Sequence, residues 1–186
     1  MERGLDVWLV RHGETGWSRD RRYTGWSDVP LTGAGEAQAE ALRDQLPSGT
    51  GVRAWTSPLG RCVRTAELAG LDAVVDDRLR ELDFGDIEGA RWDDLAGDVQ
   101  EQLLDFDSFS APNGESTADL RSRVHAFLRS LPTGRHVVVT HGGVVRMLLR
   151  EAGGDAAVAP AAVVRLRFPE AGAAMMTPCP ASPSSC

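Results

Sequence analysis

The chain has 186 residues, with 20 basic against 27 acidic side chains and a formal net charge of −7. Every basic residue is arginine, so the absence of lysine excludes Schiff-base chemistry and a P-loop lysine by counting alone. A pI near 5.1 argues against a nucleic-acid partner, whose usual footprint is a basic face, and the length suits one domain. Cys62, Cys179 and Cys186 are few, odd in number and in no metal-ligand spacing, and read as reduced thiols. Glu2, Arg3 and Asp6 charge the N-terminus, which has no apolar signal region, and no stretch approaches the roughly 18 apolar residues of a membrane span. The expectation is a cytoplasmic protein with neither a membrane nor a nucleic-acid partner.

Residues 7–10 (VWLV) form a short apolar run that stops at Arg11 and reads as a buried strand. Thr32 predicts the cap of a helix over about 33–46, ended by Pro47, Ser48 and Gly49. Residues 52–55 predict a second strand, and Ser57-Pro58 predicts a cap and first position for a helix through Leu68. A third strand is expected at 73–75, a polar glycine-containing stretch at 76–90 and a helix at 92–106. Ser116 with Asp119 is a capping-box pattern, opening a helix whose stripe is Leu120, Val124, Phe127, Leu128 and Leu131. A buried strand at 136–140, a helix at 144–150 and a last strand at 163–168 complete the order. Alternating helices with unalternating apolar strands predict a three-layer α/β/α domain with a mostly parallel sheet covered on both faces. That domain spans residues 1–168, with a short cap insert at about 82–118. The Pro/Ser-rich tail over 169–186 is expected to be disordered.

Chemistry is expected at the carboxyl edge of such a sheet, where strands pass through polar loops into helices. Arg11-His12-Gly13 follows one strand and His141-Gly142-Gly143 follows another. If the two strands are neighbours in a parallel sheet, about 4.8 Å apart, the two imidazoles can face one small ligand. His125 and His136 lack that setting and read as structural or solvated. Arg61 opens a third strand-to-helix turn, and two arginines with two histidines at helix N-termini make a phosphate pocket. The stretch 79–89 (LRELDFGDIEG) adds carboxylates suited to protonating a leaving oxygen, with Glu81, Asp83, Asp86 and Glu88 all candidates.

The blocks LVRHGET (9–15), SPLGRCVRTAE (57–67), LRELDFGDIEG (79–89) and VVVTHGGVVR (137–146) together resemble the signatures of the histidine phosphatase superfamily. That group includes cofactor-dependent phosphoglycerate mutases and many small phosphatases. The resemblance implies that His12 is the nucleophile, that Arg11 and Arg61 hold phosphoryl oxygens, and that His141 is a further donor. The family pattern places its acid four residues before a glycine, which selects Glu81. No metal and no cofactor are implied. The segment 22–28, with Thr24 and Gly25, resembles both branches, and Gly142 follows the second histidine. Ser18 stands where many members carry asparagine, and Ile87 where a tryptophan is usual. PNGES (112–116) resembles a pocket-bordering loop, so Glu115 and Ser116 are candidate contacts to the leaving group.

Three features favour a phosphatase over a mutase within this resemblance. Only 60 residues separate Glu81 from His141, there is no lysine for a second phosphate, and His141 is followed by Gly-Gly-Val-Val. The implied activity is metal-independent hydrolysis of a small phosphate monoester, such as a sugar phosphate, a nucleotide-derived phosphate or α-ribazole 5′-phosphate. A mutase-type phosphotransferase and a non-catalytic phospholigand-binding module are the alternatives. The sequence leaves open whether the chain is a monomer or a homodimer. Residues 76–120 hold 14 acidic side chains and 3 arginines, a net −11, against +4 for the rest, which predicts an acidic rim over a cationic pit.

Overall fold

The computed structural model describes residues 4–154, 157–169 and 177–179. Its strands are β1 (Gly4–Arg11), β2 (Val52–Thr56), β3 (Ala73–Val75), β4 (Gly134–Thr140), β5 (Val163–Pro169) and β6 (Thr177–Cys179). They form one sheet in the order β3-β2-β4-β1-β5-β6. β1, β2, β3 and β4 run parallel, whereas β5 lies antiparallel to β1, and β6 antiparallel to β5. The sheet is mostly parallel, and β1 and β4 are neighbours, with Arg11 opposite Thr140.

Side-chain alternation along the strands explains the layers. Val7 and Leu9 of β1 and Val138 of β4 enter one core with Leu120, Phe127 and Leu148. Val10, Val137 and Val139 enter the other, with Leu42, Cys62 and Ala66. β1 and β4 therefore bury both faces, which is why their apolar runs do not alternate. The first core takes α5 (Thr117–Ser130) and α6 (Gly142–Glu151); the second takes α3 (Gly60–Leu68) and the 3₁₀ turn Ala41–Asp44, which carries Leu42, while α2 (Gly33–Glu40) packs on α3. On α5, Leu120, Val124, Phe127 and Leu128 are all buried, and each such side chain stabilises the fold by about 1.5–3 kcal/mol.

The caps behave as their residue types demand. Thr32 accepts from the Gly35 N–H, and Ser116 forms a full capping box with Asp119. A second box, Thr15 with Ser18, opens the single turn α1 (Gly16–Arg19). The predicted helix over 33–46 tightens to a 3₁₀ turn after Glu40. That over 92–106 divides into a 3₁₀ turn at Trp92–Asp94 and α4 (Gly97–Leu104).

Two expectations need correction. Ser57 does not cap α3, which starts at Gly60 with Leu59 as its N-cap. The Ser57 N–H still belongs to the sheet edge, donating to the Val139 carbonyl, and its hydroxyl is used elsewhere. The tail is not wholly without structure, because Thr177–Cys179 pairs with Arg165–Arg167 of β5. The remainder of 170–186 lies outside the described residues. No helix among the described residues is long and apolar enough to cross a membrane.

Candidate active site

The parallel pairing of β1 with β4 brings their two exit loops together. The His12 N–H donates to the Thr140 carbonyl at 3.0 Å, and the rings of His12 and His141 meet edge-on with centroids 5.3 Å apart. Nδ1 of His12 lies 2.8 Å from the Gly13 carbonyl, which can only accept, so Nδ1 carries the proton and Nε2 keeps its lone pair. Burial, with Arg61 and Arg11 close by, holds the His12 pKa well below the usual histidine range. Burial, followed by the charge of Arg61, does the same to His141. Both rings are therefore neutral near pH 7.

Arg61 is fully buried at the first turn of α3. Its two terminal nitrogens donate to the carbonyls of Ser27 (2.8 Å) and Gly25 (2.6 Å). Glu88 holds that loop in turn, accepting from the N–H groups of Trp26 at 2.7 Å and Ser27 at 2.8 Å. Arg11 donates to the Val158 carbonyl. After these bonds the Nε atoms of both arginines are buried with no hydrogen-bond partner among the described residues. Two orphaned cationic donors beside a neutral imidazole suit a phosphoryl group.

Glu81 is 6% exposed and faces the N-terminus of α6. Its carboxylate accepts from the Gly143 N–H at 2.8 Å and from the Leu82 N–H at 3.0 Å. Burial raises its pKa above the ordinary carboxylate value, opposed by those two hydrogen bonds and by Arg61 and Arg11. The other candidate acids are committed elsewhere. Asp83 accepts from the Gly85 N–H, Asp86 from the Asn113 side chain, and Glu88 from the 26–27 backbone.

Above these groups opens a cleft of about 580 Å³, walled in part by Arg11, His12, Ser18, Thr24, Glu81 and Gly142. Arg61 and His141 lie buried beneath it. Ser18 reaches the wall, but its hydroxyl donates to the Thr15 carbonyl (3.0 Å) and accepts the Thr15 N–H (2.9 Å). The Thr24 hydroxyl likewise donates to the Arg22 carbonyl. Gly25 contributes a carbonyl to Arg61, and a Cβ there would stand 2.1 Å from a Glu88 carboxylate oxygen. Ile87 packs in the core with Phe84.

Glu115 and Ser116 do not line the cleft among the described residues. Ser116 is spent as the cap of α5. Glu115 pairs with Arg123 at 2.7 Å, and Arg123 donates to the carbonyls of Arg78 (2.9 Å), Arg80 (2.7 Å) and Glu81 (2.8 Å). Glu115 thus buttresses the segment that carries Glu81.

Sequence reasoning missed two walls. Arg21, Arg22, Arg146 and Arg150 line the cleft, the last two one helical turn apart on α6. Among the described residues no carboxylate of the insert lines the cleft: the insert turns Trp92, Leu103, Leu104 and Phe106 to it, while Asp93, Asp98, Asp105 and Asp107 are exposed. The i, i+4 spacing of Arg146 and Arg150 behind His141 was the readable signal for the first wall.

A buried neutral imidazole, two arginines and an acid of raised pKa define a phosphoryl-transfer site of the histidine phosphatase kind. The family model of the histidine phosphatase superfamily (branch 1) matches residues 7–176, and the chain belongs to that family. It is 43% identical over 150 residues to a probable phosphoglycerate mutase GpmB of Salmonella paratyphi C, covering 74% of this chain and 70% of that one. The crystal structure of a phosphoglycerate mutase from Thermus thermophilus aligns with TM-score 0.80 and 47% identity, covering 87% of this chain and 92% of that one. A putative alpha-ribazole-5'-P phosphatase from Escherichia coli K-12 aligns with TM-score 0.78 and 27% identity, covering 94% of each chain.

Proposed function

We propose that this chain is a phosphomonoesterase that hydrolyses a small phosphorylated metabolite in two steps through a phosphohistidine at His12. In the first step Nε2 of His12 attacks phosphorus in line with the leaving oxygen. Arg11, Arg61 and His141 stabilise the charge on the non-bridging oxygens, the P–O bond breaks, and Glu81 gives its proton to the leaving alkoxide. In the second step Glu81, now a carboxylate, takes a proton from water as that water attacks phosphorus. The P–N bond breaks, its electron pair returns to Nε2, and inorganic phosphate departs. Residue by residue, this needs a neutral nucleophile and a carboxyl that is protonated first and ionised second. The depressed His12 pKa and raised Glu81 pKa support those states.

The observation that carries hydrolysis rather than transfer is the openness of the cleft. Leu104 in its wall is 75% exposed and Trp92 is 38% exposed, so the insert leaves the cleft that His12 lines open to solvent. A mutase must keep water away from that intermediate. The mutase reading draws on the names of the relatives and on the arginines of the cleft wall. Assay of purified protein with p-nitrophenyl phosphate, without added metal and with a chelator present, tests the proposal. Hydrolysis abolished by His12→Ala is expected. Interconversion of phosphoglycerates after bisphosphoglycerate priming, with negligible phosphate release, would establish the mutase instead. No turnover of any phosphomonoester would favour a binding module. A cytoplasmic location belongs to the same proposal.

A further inference from the structure

The ring nitrogens of His141 present a problem of proton accounting. Nε2 lies 2.8 Å from the hydroxyl oxygen of Ser57, and both residues are fully buried. The bond can run either way. If Nε2 carried the proton and donated to Ser57, the Ser57 hydroxyl hydrogen would itself need an acceptor. The Leu59 N–H already donates to that oxygen, at 3.4 Å. The remaining neighbour is the Cys62 thiol, a weak acceptor whose sulfur lies 3.4 Å from Nε2 and 3.7 Å from Nδ1. That thiol spends its own hydrogen on the Thr140 carbonyl. If the Ser57 hydroxyl donates to Nε2, the hydroxyl and Nε2 are both satisfied, and the Nδ1–H, with only the sulfur near it, is the one donor without a strong acceptor.

We propose that Ser57 is a positioning residue: its hydroxyl donates to Nε2 of His141 and so holds the ring in the tautomer with its proton on Nδ1. Burial and the nearby arginines keep His141 neutral, so the ring has only one N–H to give. Nε2 is turned to Ser57, and Nδ1–H is left for the phosphoryl group. His12 is set by the opposite kind of partner: a carbonyl takes its Nδ1 proton and leaves Nε2 as a lone pair. One imidazole is thereby fixed as a nucleophile and its neighbour as a donor. Ser57 touches neither substrate nor phosphorus in this account.

The direct test is a long-range ¹H–¹⁵N spectrum of wild-type protein labelled in histidine, with the His141 signals assigned by their loss in His141→Gln. The expected result is a protonated Nδ1 and an unprotonated Nε2. A protonated Nε2 in wild type would overturn the inference, whatever the behaviour of any variant. In Ser57→Ala the tautomer preference is expected to weaken or invert. With it, kcat on p-nitrophenyl phosphate falls by about 10²-fold, the scale of losing one transition-state donor. Ser57→Thr, which keeps the hydroxyl, restores the wild-type tautomer and most of kcat. A folded Ser57→Ala protein with the wild-type tautomer would also overturn it. The catalytic consequence rests on the phosphatase reading but the tautomer does not: a protonated Nδ1 in a protein without turnover would sink that reading alone.

Discussion

Gly143 lies so close to Glu81 that a Cβ on it would stand 2.4 Å from a carboxylate oxygen, while its own N–H donates to the other at 2.8 Å. The backbone of α6 is thus both the partner of the acid and the wall that sets its position. Gly143→Ala should push the carboxyl out of place without straining the backbone. The expected outcome is a loss of kcat of about 10²-fold on alkyl phosphates, whose leaving group needs a proton. The loss on p-nitrophenyl phosphate, a better leaving group, should be much smaller. Steady-state kinetics on the two substrates check this, and equal losses would mean that Gly143 does not act through Glu81.

The pH profile follows from the two shifted groups. Activity requires His12 neutral, and its pKa is depressed, so the acid limb of kcat/KM lies below the ordinary histidine value of 6.5. Activity also requires Glu81 protonated in the first step, and its pKa is raised, so the alkaline limb lies above the ordinary glutamate value of 4.5. Glu81→Gln should remove the alkaline limb and leave the acid limb in place. A profile of kcat/KM against pH for both proteins measures this, and an alkaline limb that persists in Glu81→Gln would assign it to another group.

Glu115 separates two accounts of one residue. The sequence pattern makes it a contact to the leaving group, whereas in the structure it anchors Arg123, which donates to the Glu81 carbonyl. Both partners are largely buried, with side chains 14% and 18% exposed, so removing one leaves a poorly hydrated charge. Glu115→Ala should cost about 3–5 kcal/mol of stability by analogy with other broken buried pairs. Glu115→Gln should lower kcat on alkyl phosphates with KM little changed. A rise in KM alone would restore the contact reading.

Arg61 cannot be exchanged for the other cation. Two of its nitrogens are fixed on the carbonyls of Gly25 and Ser27, and Nε remains for an anion. A lysine ammonium has no planar fork with which to do all three. Arg61→Lys is expected to lower kcat/KM by about 10²–10³-fold, as for loss of a transition-state donor. Activity within a few-fold of wild type would show that charge alone suffices there.

Much of this site was legible because its chemistry sits at strand ends. The apolar runs before Arg11 and His141 predict buried strands, and the parallel pairing of β1 with β4, with Arg11 opposite Thr140, brings the two histidines together. His136 accepts from the Trp55 indole and pairs with the Pro132 carbonyl, as a structural histidine should. The work of Ser57 was not legible. The same Ser-Pro pair describes a helix cap, and only the β2–β4 pairing turns the hydroxyl to His141 instead. The pairing of Glu115 was not legible for a similar reason: its partner, Arg123, lies two turns along a helix whose apolar stripe alone was read. The apolar wall of the cleft was not legible because net charge says nothing of direction; the insert lines the cleft with Trp92, Leu103, Leu104 and Phe106, while Asp93, Asp98, Asp105 and Asp107 are exposed.

In the proposed reaction phosphorus becomes bonded to Nε2 of His12. Rapid quenching of the protein under alkaline conditions during turnover of p-nitrophenyl phosphate, followed by mass spectrometry of its peptides, measures that bond directly. A phosphoryl group on the peptide containing His12, labile to acid and absent when His12→Ala is treated in the same way, is the predicted result. Undiminished turnover in His12→Ala, or phosphoryl transfer to another side chain, would contradict the account.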